Sequence, residues 1–414
     1  MASKLFSNSG SLVIPAGVGQ KLHPRALWTT LTAARWLWLP LVVFSVTRLG
    51  IMLIAYLGMI LLPNSVEPPV YHLRPPDNLV VDALTSRWDT GFYVSIVEEG
   101  YINEGVPLPS VAFFPLLPLA MTAARPLVGG DAVYAGLLVA NLALLLATIL
   151  FYRLVAEEWG APVADRAVWY LLIFPAAFFG SAIYSESLFL LCAIGALYFA
   201  RRGRWGIVAL LAVAATLSRL VGIIVLPMLL LEWAQQRHVR QGTARPGYRA
   251  LLAPLLAPLG TLGYMAYLGR TFGDPLAFAH ASAAWGRVPQ SPAGTIAQLL
   301  ERPAGGWLAA LSAGQLHVND WFDLLMVIFF LVMGFVLLYQ HRWSEGIFVW
   351  SGVMLAFSSG LLMSQRRYVW VLFPVFILLA RWGDRLWVDR LVTTLSLMGL
   401  ALFTALFANG YWVG

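Results

Sequence analysis

The sequence predicts an all-α polytopic membrane protein, a bundle of about 11 transmembrane helices with two large external loops. Three observations predict it. Hydrophobic residues make up 60% of the chain and charged residues 11%, against roughly 25% charged in a soluble domain. Too few charges are present to cover a water-facing surface of this size, so lipid must be the main solvent. Apolar runs recur along the chain near the ~20 residues that cross a hydrocarbon core, and arginines collect in the short segments between them.

Residues 1–35 are mixed and weakly basic, and are expected to be a cytoplasmic N-terminal segment. The first long apolar run starts near Trp36 and is too long for a signal h-region, so it reads as an uncleaved anchor. The apolar runs are 36–62, 131–155, 166–183, 184–201, 205–219, 220–234, 249–270, 320–340, 345–363, 367–382 and 389–409. Two stretches read two ways. Residues 167–200 hold one charge, Glu186, and suit two short spans with a turn at Tyr184-Ser185-Glu186-Ser187. Residues 205–233 carry Arg219 at their midpoint, as one long tilted helix or as a hairpin turning at Ser218-Arg219.

Charge placement chooses between them, because cytoplasmic loops collect Arg and Lys. The basic clusters are Lys21/Arg25/Arg35, Arg153/Arg166, Arg201/Arg202/Arg204, Arg237/Arg240/Arg245/Arg249 and Arg381/Arg385/Arg390. With the N-terminus inside and both stretches broken, all of them fall on the cytoplasmic side. The run Pro109–Val128 is apolar enough to cross, but crossing would switch the side of every later cluster. Its prolines at 109, 115, 118 and 126 suit a juxtamembrane or re-entrant piece instead. The chain is therefore expected to be one integral membrane domain over 1–414. Residues 63–130 form a first external loop with juxtamembrane helices and 271–319 a second.

The net charge of +7 comes almost wholly from arginine, since Lys4 and Lys21 are the two lysines. Those arginines sit between apolar runs rather than on a basic, aromatic-laced helix, which argues against nucleic acid and for membrane lipids as partners. The arginine bias and short loops suggest a prokaryotic cell membrane. One cysteine, Cys192, precludes an intrachain disulfide or a cysteine metal cluster. The sequence lacks a Walker A loop, a Rossmann glycine fingerprint, HExxH and DxD. The missing DxD argues against a metal-bound nucleotide-sugar donor; no metal site is expected, and a divalent cation requirement stays open.

The most distinctive local feature is Arg87-Trp88-Asp89-Thr90-Gly91-Phe92-Tyr93, followed by helical Val94–Glu99 and Gly100. Asp89 reads as a helix N-cap, with Trp88, Phe92 and Tyr93 as interfacial anchors. The alternative is a catalytic base, since a carboxylate among aromatics at a membrane surface is partly desolvated and so better fitted to take a proton. Glu186 is either a hydrated turn residue or a functional group, the default reading for an ionisable side chain near a bilayer. Arg219 lies between almost wholly apolar flanks and needs a partner; phosphate contact is the reading taken for it, and structural pairing for the similarly placed Arg48. Arg366-Arg367-Tyr368 opens the tenth run on the external side, against the positive-inside trend. Guanidiniums there suit a lipid phosphate or simple anchoring to anionic headgroups.

An ordered set of motifs runs through residues 80–375. It comprises Arg87-Trp88-Asp89 with Tyr93 and Gly100-Tyr101; Ala112-Phe113-Phe114-Pro115-Leu116-Leu117-Pro118; Tyr184-Ser185-Glu186-Ser187-Leu188-Phe189; and Ala200-Arg201-Arg202-Gly203-Arg204-Trp205. It continues with Ser218-Arg219 before Val221-Gly222; Gly273-Asp274-Pro275-Leu276-Ala277-Phe278; and Arg367-Tyr368 before Phe373-Pro374. This set resembles the PIG-V-like mannosyltransferases, membrane glycosyltransferases of the GT-C class. The resemblance implies a GT-C-like bundle and a polyprenyl-phosphate sugar donor, usually of mannose. It also implies an acceptor hydroxyl on a glycan or lipid, and inverting transfer on the external face. It implies a catalytic carboxylate in the first external loop, which falls on Asp89, with Glu186 as a second acidic group. Arg87, Trp88, Tyr93, Tyr184, Arg219, Arg366, Arg367 and Tyr368 become the substrate-binding set. The chain departs from the family at Arg219-Leu220, where Arg-Pro is usual, and at Ser364-Gln365-Arg366-Arg367-Tyr368, where Ser-Met-x-Arg-Tyr is usual. The rival readings are a lipid or lipid-linked sugar flippase, against which the absence of paired halves speaks, and a non-catalytic partner of another enzyme.

Overall fold

The structure, a computed structural model, describes residues 34–63, 78–238, 245–287, 291–301, 306–314, 318–358 and 364–413. Residues 1–33, and with them nearly all of the expected cytoplasmic segment, lie outside the described residues, as do parts of both expected external loops. Among the described residues all regular structure is helical. The α-helices are α1 (Arg35–Leu61), α2 (Leu79–Thr85), α3 (Asp89–Glu99), α4 (Leu116–Ala124), α5 (Ala132–Trp159), α6 (Ala161–Ile173) and α7 (Glu186–Arg201). They continue as α8 (Trp205–Ser218), α9 (Val225–His238), α10 (Leu252–Leu255), α11 (Leu259–Phe272), α12 (Ala277–Ser282), α13 (Pro292–Leu299) and α14 (Trp307–Ser312). The last five are α15 (Val318–Tyr339), α16 (Trp343–Phe357), α17 (Gln365–Trp370), α18 (Pro374–Trp382) and α19 (Leu386–Ala408).

Six helical stretches among the described residues are long and apolar enough to cross a membrane: 35–61, 132–159, 220–238, 248–272, 318–339 and 386–408. The remaining expected runs are built from shorter helices, for identifiable reasons. The run 166–183 is not one helix. α6 stops at Ile173 because Pro175 disfavours helical backbone at the residue before it, and Phe174 is extended there, at ψ 145°. A 3₁₀ turn, Ala177–Gly180, and irregular backbone then lead to Glu186. The stretch 205–233 is two elements: α8 ends at Ser218, Arg219 is extended at φ −163°, and a 3₁₀ turn Leu220–Ile224 leads into α9. Glycine is required in that turn, since a Cβ on Gly222 would sit 2.0 Å from the Ala215 carbonyl oxygen. The tenth run breaks between α17 and α18, and Pro374 opens α18 at the position where a missing N–H costs nothing.

The breaks are held by polar side chains inside the bundle. Arg48 of α1 donates from Nη2 to the Leu172 carbonyl and from Nη1 to the Ala177 carbonyl, both at 2.8 Å. It thus satisfies carbonyls that the broken helix leaves without intrahelical partners, which is a structural task. Trp370, fully buried, donates from Nε1 to the Leu171 carbonyl at 2.9 Å and so locks α17 to the end of α6.

Several described members of the expected basic clusters are tied together by ion pairs and ring contacts. Arg201 at the close of α7 donates to Glu158 of α5 at 2.7 Å and pairs with Glu345 of α16, while Arg342 donates to Glu158 at 2.6 Å and pairs with Glu345 too. Glu232 of α9 completes the cluster, accepting from Ser344 at 2.9 Å and Gln236 at 2.8 Å. Arg381 lies 3.9 Å from the Trp159 ring centroid, and Arg35 pairs with Asp165. Glu186 starts the helix that Arg201 closes, Arg219 follows the end of α8, and Arg367 lies on the short α17.

Candidate active site

Asp89 is delivered by an unusual backbone. Trp88 occupies the cap position of α3 at φ 56°, ψ −129°, and no side chain caps that helix. A non-glycine residue at such angles costs on the order of 1–3 kcal/mol, so surrounding contacts must impose it. The Trp88 ring packs edge-on against Trp412 at 4.8 Å between centroids. The Asp89 N–H donates to the Tyr184 hydroxyl at 3.3 Å. The cap reading of Asp89 is therefore corrected: it is the first helical residue, and its carboxylate reaches across the fold instead.

That carboxylate accepts from Arg367 Nη1 at 2.6 Å, a contact between residues 278 positions apart. The same guanidinium approaches Glu186 Oε1 with its Nε at 3.1 Å, and Arg219 Nη1 approaches that oxygen from another side at 2.8 Å. Glu186 is 1% exposed, so the hydrated-turn reading does not hold; its second oxygen, Oε2, is buried without a hydrogen-bond partner among the described residues. Two carboxylates and two guanidiniums thus alternate in a chain, Asp89–Arg367–Glu186–Arg219. Burial of these ions is tolerable only because each is paired.

The chain forms one wall of a cavity of about 220 Å³. Asp89, Tyr93, Glu186, Arg219, Arg367 and Tyr368 all line it, with Arg287 and the apolar Phe113, Phe278, Leu220 and Leu355. Leu220, one of the apolar lining residues, is also half exposed. Tyr93 is buried, and burial together with the nearby Glu186 charge pushes its hydroxyl above its ordinary titration range. Tyr184 stands behind the cavity, its ring 5.1 Å from the Arg367 guanidinium.

The other expected residues sit elsewhere. Arg366 does not reach the cavity. It is 2% exposed and turns to Asp323, donating from Nε at 2.7 Å, and to Asn319 at 3.1 Å. Successive residues of a helix point about 100° apart, so adjacent arginines on α17 cannot serve one site. Arg87 and Trp88 do not line the cavity. Trp88 acts on it through the backbone at Asp89, and Arg87 lies where burial and the Asp82 charge oppose each other. Two lining residues, Arg287 and Trp412, carry no signal in the sequence: one is a lone arginine after α12, the other lies beyond α19 in no motif. Among the described residues no group of three or more His, Cys, Asp or Glu could hold a metal ion.

Residues 72–260 match the family described as Mannosyltransferase (PIG-V), which bears out the resemblance carried by the motifs in that span. No curated protein matches the chain. Similar solved structures include the oligosaccharyltransferase AglB from Archaeoglobus fulgidus, in complex with an inhibitory peptide and a dolichol-phosphate. It is 12% identical with a TM-score of 0.39, over 89% of this chain and 56% of that one. ArnT from Cupriavidus metallidurans in the apo state is 14% identical with a TM-score of 0.46, over 92% of this chain and 78% of that one. The chain therefore spans little more than half the length of the archaeal enzyme.

Proposed function

We propose that the protein is a membrane glycosyltransferase that moves a sugar, mannose by the family match, from a polyprenyl-phosphate donor to an acceptor hydroxyl on a glycan or lipid at the membrane surface. The observation that carries the reading is the meeting of Asp89 and Arg367 at 2.6 Å in one cavity. In this reading Asp89 is the base. Arg367 holds its Oδ2, leaving Oδ1 for the acceptor hydroxyl. As that hydroxyl oxygen attacks the anomeric carbon, its proton passes to Asp89 and the bond from that carbon to the phosphate oxygen breaks. The lipid phosphate leaves with the bonding electron pair, and the configuration at the anomeric carbon inverts in one displacement.

Glu186 has a positioning role in this scheme. Its Oε1 is bound between Arg219 and Arg367, and its buried Oε2 offers a substrate hydroxyl an acceptor that no group among the described residues uses. The three cavity guanidiniums supply positive potential where the phosphate charge develops. The exposed Leu220 and the apolar residues beside it in the lining suit a lipid tail. A donor held in the bilayer presents its phosphate at fixed depth, which supplies much of the orientation in advance. The positive-inside rule supports a cytoplasmic arginine-rich end and N-terminus with the cavity on the external face, and the arginine bias and short loops support a prokaryotic cell membrane.

Asp89→Asn tests the reading, with purified protein, a polyprenyl-phosphate mannose and a lipid acceptor. General-base loss predicts a fall in kcat of roughly 10²- to 10⁴-fold with the fold intact. Near-normal turnover by Asp89→Asn would overturn the assignment.

A further inference from the structure

The cavity is lined by three guanidiniums and two carboxylates, one formal positive charge in excess. Asp89 and Glu186 are engaged by Arg367 and Arg219. Arg287 has no carboxylate in ion-pair range among the described residues. It rests instead on a neutral phenol, donating from Nη2 to the Tyr368 hydroxyl, with its guanidinium 5.5 Å from that ring's centroid. Arg367 Nη2 approaches the same hydroxyl oxygen at 3.3 Å, and the Arg219 guanidinium lies 5.1 Å from the Tyr368 ring. Tyr368 is thus surrounded by all three cations of the cavity, and its oxygen marks a point on which two of them converge.

A phenol is a poor counter-ion for this arrangement. Guanidinium bonds to phosphate or carboxylate are shorter, about twice as strong and often bidentate. Arg367 and Arg219 cannot turn to an incoming anion without abandoning a buried carboxylate, which is expensive. Arg287 gives up only a bond to a neutral hydroxyl. It also sits after α12, apart from the helices that hold the other two arginines.

We propose that Arg287 is the residue that binds the phosphate of the lipid-linked donor, displacing the Tyr368 hydroxyl to do so, while Arg367 and Arg219 position the carboxylates. The inference rests on the glycosyltransferase reading for the identity of the anion, and on the cavity alone for the existence of an anion site.

The test uses the full chain in phosphatidylcholine nanodiscs and a polyprenyl phosphate that carries no sugar, with binding read by native mass spectrometry. Wild type should bind it, Arg287→Gln at least about tenfold more weakly, and Arg287→Lys in between, since an ammonium keeps the charge but loses the fork. Asp89→Asn should bind no more weakly than wild type. In turnover, Arg287→Gln should raise the donor KM more than it lowers kcat, a split that a merely structural role would not give. Arg287→Gln with wild-type affinity overturns the inference and leaves the glycosyltransferase reading standing. Arg287-dependent binding of inorganic phosphate as tight as the lipid form keeps the anion site and removes the lipid-borne source. A wild type that binds neither overturns both.

Discussion

Replacing Arg367 by Met tests whether the ion chain organises the site. The side chain keeps its approximate length and loses its charge. In the structure Arg367 is 6% exposed by side chain and contacts Asp89 at 2.6 Å and Glu186 at 3.1 Å. Unit charges about 4 Å apart attract by about 4 kcal/mol at an effective dielectric of 20. Removing one partner of a buried pair costs about 3–5 kcal/mol, because the other charge stays behind. Glu186 keeps Arg219 at 2.8 Å, so the loss falls mainly on Asp89, whose side chain is 20% exposed and partly hydrated. The low end, about 3 kcal/mol, is therefore the expected cost to stability, and kcat/KM should separately fall roughly a hundredfold because Asp89 loses the partner that holds its carboxylate in place. Arg367→Lys should lose roughly tenfold, since one ammonium cannot hold two carboxylates as a fork does. The assay is initial-rate transfer from radiolabelled polyprenyl-phosphate mannose by protein in detergent, with thermal melts on the same samples. A folded Arg367→Met enzyme within threefold of wild type would refute the argument.

Four further outcomes are expected. Trp412→Ala removes the edge contact that helps hold Trp88 in its strained conformation, and an aromatic pair is worth about 0.5–1.5 kcal/mol; kcat/KM should fall roughly three- to tenfold, and unchanged kinetics would remove Trp412 from the site. Gly222→Ala places a Cβ 2.0 Å from backbone oxygen, which should cost about 1–3 kcal/mol as overpacking does; a wild-type melting temperature would show that the turn yields. Arg201→Met leaves Glu232 and Glu345, 0% and 1% exposed, short of a partner, and should lower the melting temperature by several degrees, with partial recovery in Arg201→Met/Glu232→Gln. Chelation of divalent ions should leave transfer unchanged, because both cavity carboxylates are already paired with guanidinium and the cavity carries excess positive charge; a rate that depends on added Mg²⁺ or Mn²⁺ would contradict this.

The sequence patterns located the helices well where one long apolar run makes one helix, as in α1, α5, α15 and α19. Arginine placement resolved residues 205–233, since only a break at Ser218-Arg219 kept the later basic cluster with the others, and the chain does break there. Asp89, Glu186, Arg219 and Arg367 were legible because ions cannot be scattered cheaply among apolar runs. What escaped was orientation. Nothing in Arg366-Arg367 says which of two adjacent guanidiniums faces the cavity, because that depends on how α17 is pinned by Trp370 and by Asp323. Arg287 and Trp412 were illegible for a related reason: each enters the site through tertiary packing and has no spacing that marks it.

The breaks in the helices and the chemistry share a cause. Backbone that leaves helical geometry at membrane depth must find polar partners within the protein. Here the irregular stretch 174–185 ends at Glu186, the break after α8 is Arg219 itself, and Arg367 lies just before the break between α17 and α18. Each interruption therefore ends in, or stands beside, an ion that faces the cavity. Uninterrupted helices would carry these three side chains at arbitrary angles along apolar faces. Ending the helices near one level turns their termini toward a common centre, where the charges neutralise one another. The same arrangement that makes the ions tolerable inside the bundle brings Asp89 and Arg367 within bonding distance, so the cost of breaking the helices and the gain of building a site are one structural event.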